Sequence, residues 1–228
     1  MNDTEARSVL VTGASRGIGR AVAEAFVAAG DRVATIYRGG ELPQGVLGVR
    51  GDMRDTAAVD AAIGEIEEAH GPVEVLVANA GMTRDQLLMR MTDEEFEEVL
   101  DVNLTGVFRC VRRVSKGMIR KRAGRIILMG SVVGMYGNAG QVNYAATKAG
   151  LVGMARSITR ELGSRGITAT DVAQLTSPAA IARAADAKLG AGRGFSGNAY
   201  TDHGRRRDGA LSRAEAAHLA GVPIRAAE

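Results

Sequence analysis

Two hydrophobic periods alternate along most of this chain. Short β-branched or aliphatic runs at residues 8–12, 32–37, 73–78 and 125–130 read as buried strands. A weaker run at 45–51 and the start of another at Gly166-Ile-Thr-Ala bring the number to six. Between them the apolar positions recur at helical spacing. One helix is predicted over 20–29, with Gly30 as its stop. A second spans 56–70, with Asp55 placed to cap it and Gly71-Pro72 to break it. A third opens on Thr92-Asp-Glu-Glu, a capping-box pattern, and continues past Asn103 to about residue 116. A fourth carries Tyr144 and runs to about residue 163. Strands and helices in alternation, joined by short turns, predict an α/β fold: a Rossmann-type, doubly wound parallel sheet with helices on both faces. Sites in such sheets lie at the carboxyl ends of the strands. Ser15, Asn79 and Ser131 all fall there.

The pattern changes after residue 169. Residues 170–228 are rich in Ala, Arg and Gly and poor in β-branched residues, with Arg205-Arg-Arg207 exposed in character. Residues 179–189 and 211–219 have helical spacing, and Val222-Pro-Ile is only a fragment of a strand pattern. The division expected is one α/β domain over 1–169 and an atypical carboxyl-terminal segment over 170–228, part of the same domain or partly disordered.

Composition excludes more than it assigns. A chain of 228 residues with 46% hydrophobic and 24% charged residues suits one large soluble domain. A net charge of +3 implies no strong field for nucleic acid. Cys110 has no second cysteine to pair with and lies on a helical pattern, which reads as a buried, inert thiol. His70, His203 and His218 have no metal-ligand spacing. The polar amino terminus lacks the basic-then-apolar order of a secretion signal, and no apolar run reaches membrane-spanning length. A cytoplasmic protein without metal is the expectation.

Three stretches carry chemistry. Gly13-Ala-Ser-Arg-Gly-Ile-Gly19 stands between a strand and a helix, where backbone amides can approach a pyrophosphate at the positive end of the helix. Its spacing is Gly-x-x-x-Gly-x-Gly. Arg38 follows the second strand at the place where an acid would bind a ribose hydroxyl and an arginine a 2′-phosphate. With Arg16 it favours NADP(H); Glu41, close by, keeps NAD(H) open. Asn79-Ala-Gly81 ends the fourth strand with small residues against which a flat ligand can lie, although a tight turn reads the same way. The third stretch is Ser131 to Lys148. Tyr144 and Lys148 stand one helical turn apart on one face. A free phenol titrates near ~10 and is a poor proton donor at neutral pH; an adjacent cation favours its ionised form. Ser131, at the end of a strand, can hold a carbonyl oxygen across a short loop. Asn103, a polar residue among Val102, Leu104 and Val107, faces a site or a buried water. Basic residues from Arg109 to Arg125 form solvated faces or attract an acidic carrier.

In order and spacing, Thr12-Gly-Ala-Ser-Arg-Gly-Ile-Gly19, Asn79-Ala-Gly81, Asn103, Ser131 and Tyr144-x-x-x-Lys148 resemble the short-chain dehydrogenase/reductase family. Leu88-Met-Arg-Met, Val102-Asn-Leu-Thr-Gly, Gly124-Arg-Ile-Ile and Gly137-Asn-Ala-Gly-Gln-Val-Asn-Tyr are most similar to its bacterial 3-oxoacyl-[acyl-carrier-protein] reductases, over residues 8 to about 169. The resemblance implies NADPH-dependent reduction of a 3-oxoacyl thioester in fatty acid synthesis. It makes Tyr144 the general acid and Lys148 the residue that tunes it and binds the nicotinamide ribose. Ser131 would hold the substrate oxygen and Asn103 a water of the proton relay. Gly13, Ser15, Arg16, Gly17, Ile18, Gly19, Arg38, Asp52, Met53, Asn79, Ala80 and Gly81 would bind cofactor with Tyr144 and Lys148. Arg125 and Arg165 would dock the acyl carrier protein. A homo-oligomer, dimer or tetramer, is implied too. The family's Val-x-Pro-Gly turn, lid and last strand are not legible after Ala169, as if that segment were divergent, replaced or read out of frame; a weakened assembly and a less ordered 170–228 follow as expectations. A reductase of another carbonyl compound, or a silent dinucleotide-binding protein, are the alternatives.

Overall fold

The computed structural model describes residues 6–172. Six strands form one parallel sheet: β1 (Ser8–Val11), β2 (Arg32–Tyr37), β3 (Val46–Arg50), β4 (Val75–Ala78), β5 (Gly124–Met129) and β6 (Ile167–Val172), in the order β3-β2-β1-β4-β5-β6. The order reverses between β1 and β4, the crevice where such sheets bind ligands. The doubly wound α/β reading is borne out.

Alternation along the strands builds two cores, one on each face. Leu10, Leu76, Ile126 and Ala169 point to one side, where they pack with Ile63 and Ile66 of α2 (Thr56–His70), with Val107 to Met118 of α4 (Gly106–Lys121), and with Leu151 and Ala155 of α6 (Val142–Leu162). Val9, Val11, Val75, Val77, Ile127 and Met129 point to the other, toward Val22 and Phe26 of α1 (Gly17–Ala28). Burial of each large aliphatic side chain contributes roughly 1.5–3 kcal/mol. Cys110 is buried in the first core, and burial pushes its thiol up to about 12, which makes it inert.

Strand ends shift by one or two residues from the periodicity, and the helices differ more. The first helix starts at Gly17 rather than residue 20, so the last glycines of the motif form its first turn. The third predicted helix is in three parts: α3 (Asp93–Leu100), capped by Thr92 and Glu95; a π turn at Asp101–Thr105; and α4, which runs on to Lys121 and ends with Arg122 in the left-handed region at φ 53°. A short helix, α5 (Val133–Tyr136), occupies part of the stretch read as a loop after Ser131. β6 carries Thr170, Asp171 and Val172 into the sheet through pairing with Ile127, Leu128 and Met129, where backbone hydrogen bonding outweighs the poor strand preference of aspartate. The helical patterns at 179–189 and 211–219, and the rest of the tail, lie outside the described residues. Among the described residues no helix is long and apolar enough to cross a membrane, and no group of three His, Cys, Asp or Glu could hold a metal ion.

Candidate active site

The ends of β1 and β4 are tied together at the crevice. Thr12 Oγ1 accepts from the backbone N–H groups of Asn79 and Ala80 at 3.0 and 2.9 Å. Asn79 Nδ2 returns the link, donating to the carbonyls of Thr12 and Gly13 at 3.0 and 3.3 Å. Gly13, at φ 72°, turns the chain away from β1, and a Cβ on it would lie 3.1 Å from Ala80 Cα. A Cβ on Gly19 would overlap the Asn79 side chain. The first turn of α1 therefore sits directly on the end of β4, with its amino terminus open.

A cleft of about 660 Å³ follows. Gly13, Ser15, Arg16, Gly17, Ile18, Gly19, Arg38, Asp52, Met53, Asn79, Ala80 and Gly81 all line it. The twelve come from the ends of β1, β2, β3 and β4 and from the first turn of α1. Ile36, Tyr37, Gly39, Gly40, Gly51 and Val102 also line it and were not singled out by motif reading. Arg16 and Arg38 are exposed at its rim. Asp52 is held in place by Arg54, whose side-chain hydrogen bonds, the closest at 2.7 Å, keep the carboxyl below its usual range; Arg38 adds a smaller pull in the same direction.

The polar residues at the ends of β5 and α6 are packed differently. Tyr144 and Lys148 are 8% and 4% exposed. Lys148 Nζ donates to the Met129 carbonyl at 2.6 Å and lies 5.5 Å from the centre of the Tyr144 ring. Burial pushes the lysine down to about 8, opposed by the charge of Asp171. Ser131 is buried, and its Oγ accepts from Val133 N–H at 3.2 Å. The Ser131 turn is pressed on α6 through Gly134, where a Cβ would come within 2.8 Å of Ala149 N. Asn103 is fully buried in the π turn. Its side chain brackets Met82: Oδ1 accepts from Met82 N–H at 2.9 Å and Nδ2 donates to Met82 O at 2.8 Å. The extra residue of the π turn aims this carboxamide at the loop that follows β4.

A family model for short chain dehydrogenases matches residues 7–188. The chain belongs to that family. It is 53% identical over 186 residues to the 3-oxoacyl-[acyl-carrier-protein] reductase MabA of Mycobacterium avium, covering 82% of this chain and 73% of that protein. Identity is 51% over 183 residues with MabA of Mycobacterium tuberculosis, covering 80% and 74%. It is 49% over 177 residues with the reductase FabG of Escherichia coli, covering 74% and 72%. As a family member the chain is an oxidoreductase with a nicotinamide dinucleotide as cofactor. The cleft suits one: glycine backbone at its floor, a helix amino terminus at its wall and cations at its rim.

Two supporting residues around the family's Tyr-x-x-x-Lys helix escaped sequence reading. Asn143 is fully buried, donates to the carbonyls of Arg84 and Glu95, and accepts from Tyr144 N–H at 2.7 Å. Thr147 donates to Tyr144 O at 2.7 Å. Both lie inside the motif's own helix, so only their polarity on a buried face could have marked them. Arg125 and Arg165 are not brought to this site. They lie together at the amino ends of β5 and β6, the opposite end of the sheet. Arg125 is half-buried and donates to the carbonyls of Gly124 and Gly166, while Arg165 is exposed.

Proposed function

We propose that this chain reduces the 3-oxo group of an acyl thioester carried on acyl carrier protein to the 3-hydroxy product, with NADPH as the reductant. The observation that carries the reading is the pairing of Tyr144 with Lys148 on one buried face of α6, at the same sheet end as the glycine cleft. The names of the relatives, all 3-oxoacyl-[acyl-carrier-protein] reductases, supply the substrate class.

Each residue then has a task. The amides of Gly13 to Gly19 face the pyrophosphate, and Arg16 and Arg38 pair with a 2′-phosphate. Asp52, Met53, Asn79, Ala80 and Gly81 line the rest of the cleft and would hold the remainder of the dinucleotide. A reduced nicotinamide held in this cleft would supply the hydride for the carbonyl carbon. Ser131 donates a hydrogen bond to the carbonyl oxygen, and Tyr144 gives that oxygen its proton as the C–O double bond becomes single. Lys148 keeps a positive charge beside the phenol, which favours the phenolate left behind. Asn103 fixes the Met82 loop and holds a water through which the proton is replaced. Arg165 is the exposed member of the pair proposed to dock the carrier, and the assembly is a homo-oligomer.

Fluorescence titration with NADPH, followed by turnover on an acetoacetyl thioester, tests this. Saturable NADPH binding with thioester-dependent oxidation is expected. Binding without oxidation would leave a dinucleotide-binding protein and overturn the catalytic reading.

A further inference from the structure

The buried row of β6 changes chemistry at its last position. Ile167 and Ala169 point into the core beneath α6, with Leu151 and Ala155, and Val172 points into the opposite core. The next position on the α6 side is Asp171. A carboxylate thus continues a row that is otherwise apolar. Asp171 is 9% exposed, and its Oδ1 is buried with no hydrogen-bond partner among the described residues. An ionised carboxylate is costly in such a place unless a cation compensates it.

The compensating cation belongs to the site just described. Leu128 pairs with Asp171 and Met129 with Val172, and Gly130 N–H donates to Val172 O at 2.9 Å. The Asp171 carboxylate fills the space that a Cβ on Gly130 would need. Lys148 Nζ holds the carbonyl of Met129. Lysine and carboxylate therefore converge on a single peptide, Met129–Gly130, one residue before Ser131. The charged groups that face Asp171 are Lys148 and the exposed Arg156, both from α6, while β5 presents the Gly130 backbone.

We propose that Asp171 is a positioning residue for Lys148: a buried carboxylate at the end of β6 that keeps the lysine cationic and so sets the alkaline limit of the site. The influence is mutual. Burial drives Lys148 down to about 8 and Asp171 up to about 6, and the charge of each opposes the shift of the other. Above about 6 the carboxylate is ionised and holds the ammonium; without it, burial alone acts on the lysine and its proton is lost at lower pH. Only the turnover arm of the test rests on the proposed reductase reaction.

The chain has four lysines, Lys116, Lys121, Lys148 and Lys188. Lysine labelled with ¹³C at Cε therefore gives four resonances, and Lys148→Arg assigns the relevant one. In the parent protein Lys148 should titrate near pH 8, with a smaller step near pH 6 as Asp171 ionises. In Asp171→Asn the small step should vanish and the main midpoint should fall by about one unit, a roughly tenfold loss of proton affinity. Asp171→Glu should keep both features. The alkaline decline of turnover, with NADPH and an acetoacetyl thioester, should move with the midpoint. An unchanged Lys148 midpoint in folded Asp171→Asn overturns the proposal. So does a parent titration with no step near pH 6, a result that stands whether or not the variant folds. The coupled titration in a protein with no reductase activity supports the proposal and overturns the assigned reaction instead.

Discussion

The two halves of the site are built from opposite materials. The cleft between β1 and β4 is mostly backbone: glycines, a helix amino terminus and a Thr12–Asn79 tie, with arginines at its exposed rim and one half-buried carboxylate, Asp52, held by Arg54. The region where β5, β6 and α6 meet is mostly buried polar side chain: Ser131 and the ionisable Tyr144, Lys148 and Asp171. Backbone donors and solvated arginines can grip a charged ligand without being tuned to a particular pH. A buried ammonium and carboxylate cannot avoid being tuned, because every change in solvation or in a neighbour moves them. On the proposed function, the first region binds and the second handles the proton.

The sharpest way to break the division is Tyr144→Phe. Turnover should fall by about 10²–10⁴-fold, the usual worth of general acid catalysis, while NADPH affinity stays within about twofold by fluorescence titration. Comparable losses in both would mean that the halves are not separable. Arg38→Asp attacks the other side. Losing a charge-assisted bond to a phosphate and adding repulsion should lower the preference for NADPH over NADH by about 10–100-fold, measured as a ratio of kcat/KM values. Turnover at saturating NADH should change little, since no proton passes through Arg38.

Stability against pH gives a smaller but cleaner contrast. Asp171 has its folded-state value raised, so between about 4 and 6 the native state binds more protons than the unfolded one and stability falls as pH rises. Lys148 has its value lowered, so between about 8 and 10.5 the native state binds fewer protons and stability rises with pH. Urea midpoints should show both slopes, and Asp171→Asn should remove the acid one and leave the variant more stable than the parent at neutral pH. In the cleft, Asp52 has its value lowered, chiefly by Arg54 and less by Arg38, so its contribution to stability rises with pH, the opposite sign to Asp171, and Arg38→Asp should weaken it only slightly. The smallest effect is expected from Thr12→Val. It strands the N–H of Ala80 and leaves that of Asn79 only the Val77 carbonyl at 3.1 Å, for a cost of about 1–3 kcal/mol and a fall in Tm of a few degrees, with the fold retained.

The sequence was most readable where a single period dominates. The strands β1, β4 and β5 were plainest because alternate residues enter two separate cores, making those runs apolar on both faces. The twelve cleft positions proposed from the glycine motif and strand ends were readable because they sit where the chain reverses at the crevice. The π turn was not, since Asp101–Thr105 differs from its neighbours only in hydrogen-bond spacing and continues their apolar pattern. Asp171 escaped for the opposite reason. It looks like a strand breaker in sequence, and only its register against Leu128 shows that the sheet includes it. The place of Arg125 and Arg165 at the amino ends of β5 and β6 was readable from the strand directions alone.

The π turn has a consequence for insertions and deletions. It contains one residue more than an α-helix needs to span the same arc. A deletion within Asp101–Thr105 would let Asp93 to Lys121 run as one regular helix, which most local criteria would count as an improvement. The same deletion rotates one half of the helix against the other by about 100°. Either Asn103 would swing off Met82, or the Val107–Met118 face would swing off its core. At this place the chain tolerates neither a shorter nor a more regular helix, and the irregularity itself is what selection on length would preserve.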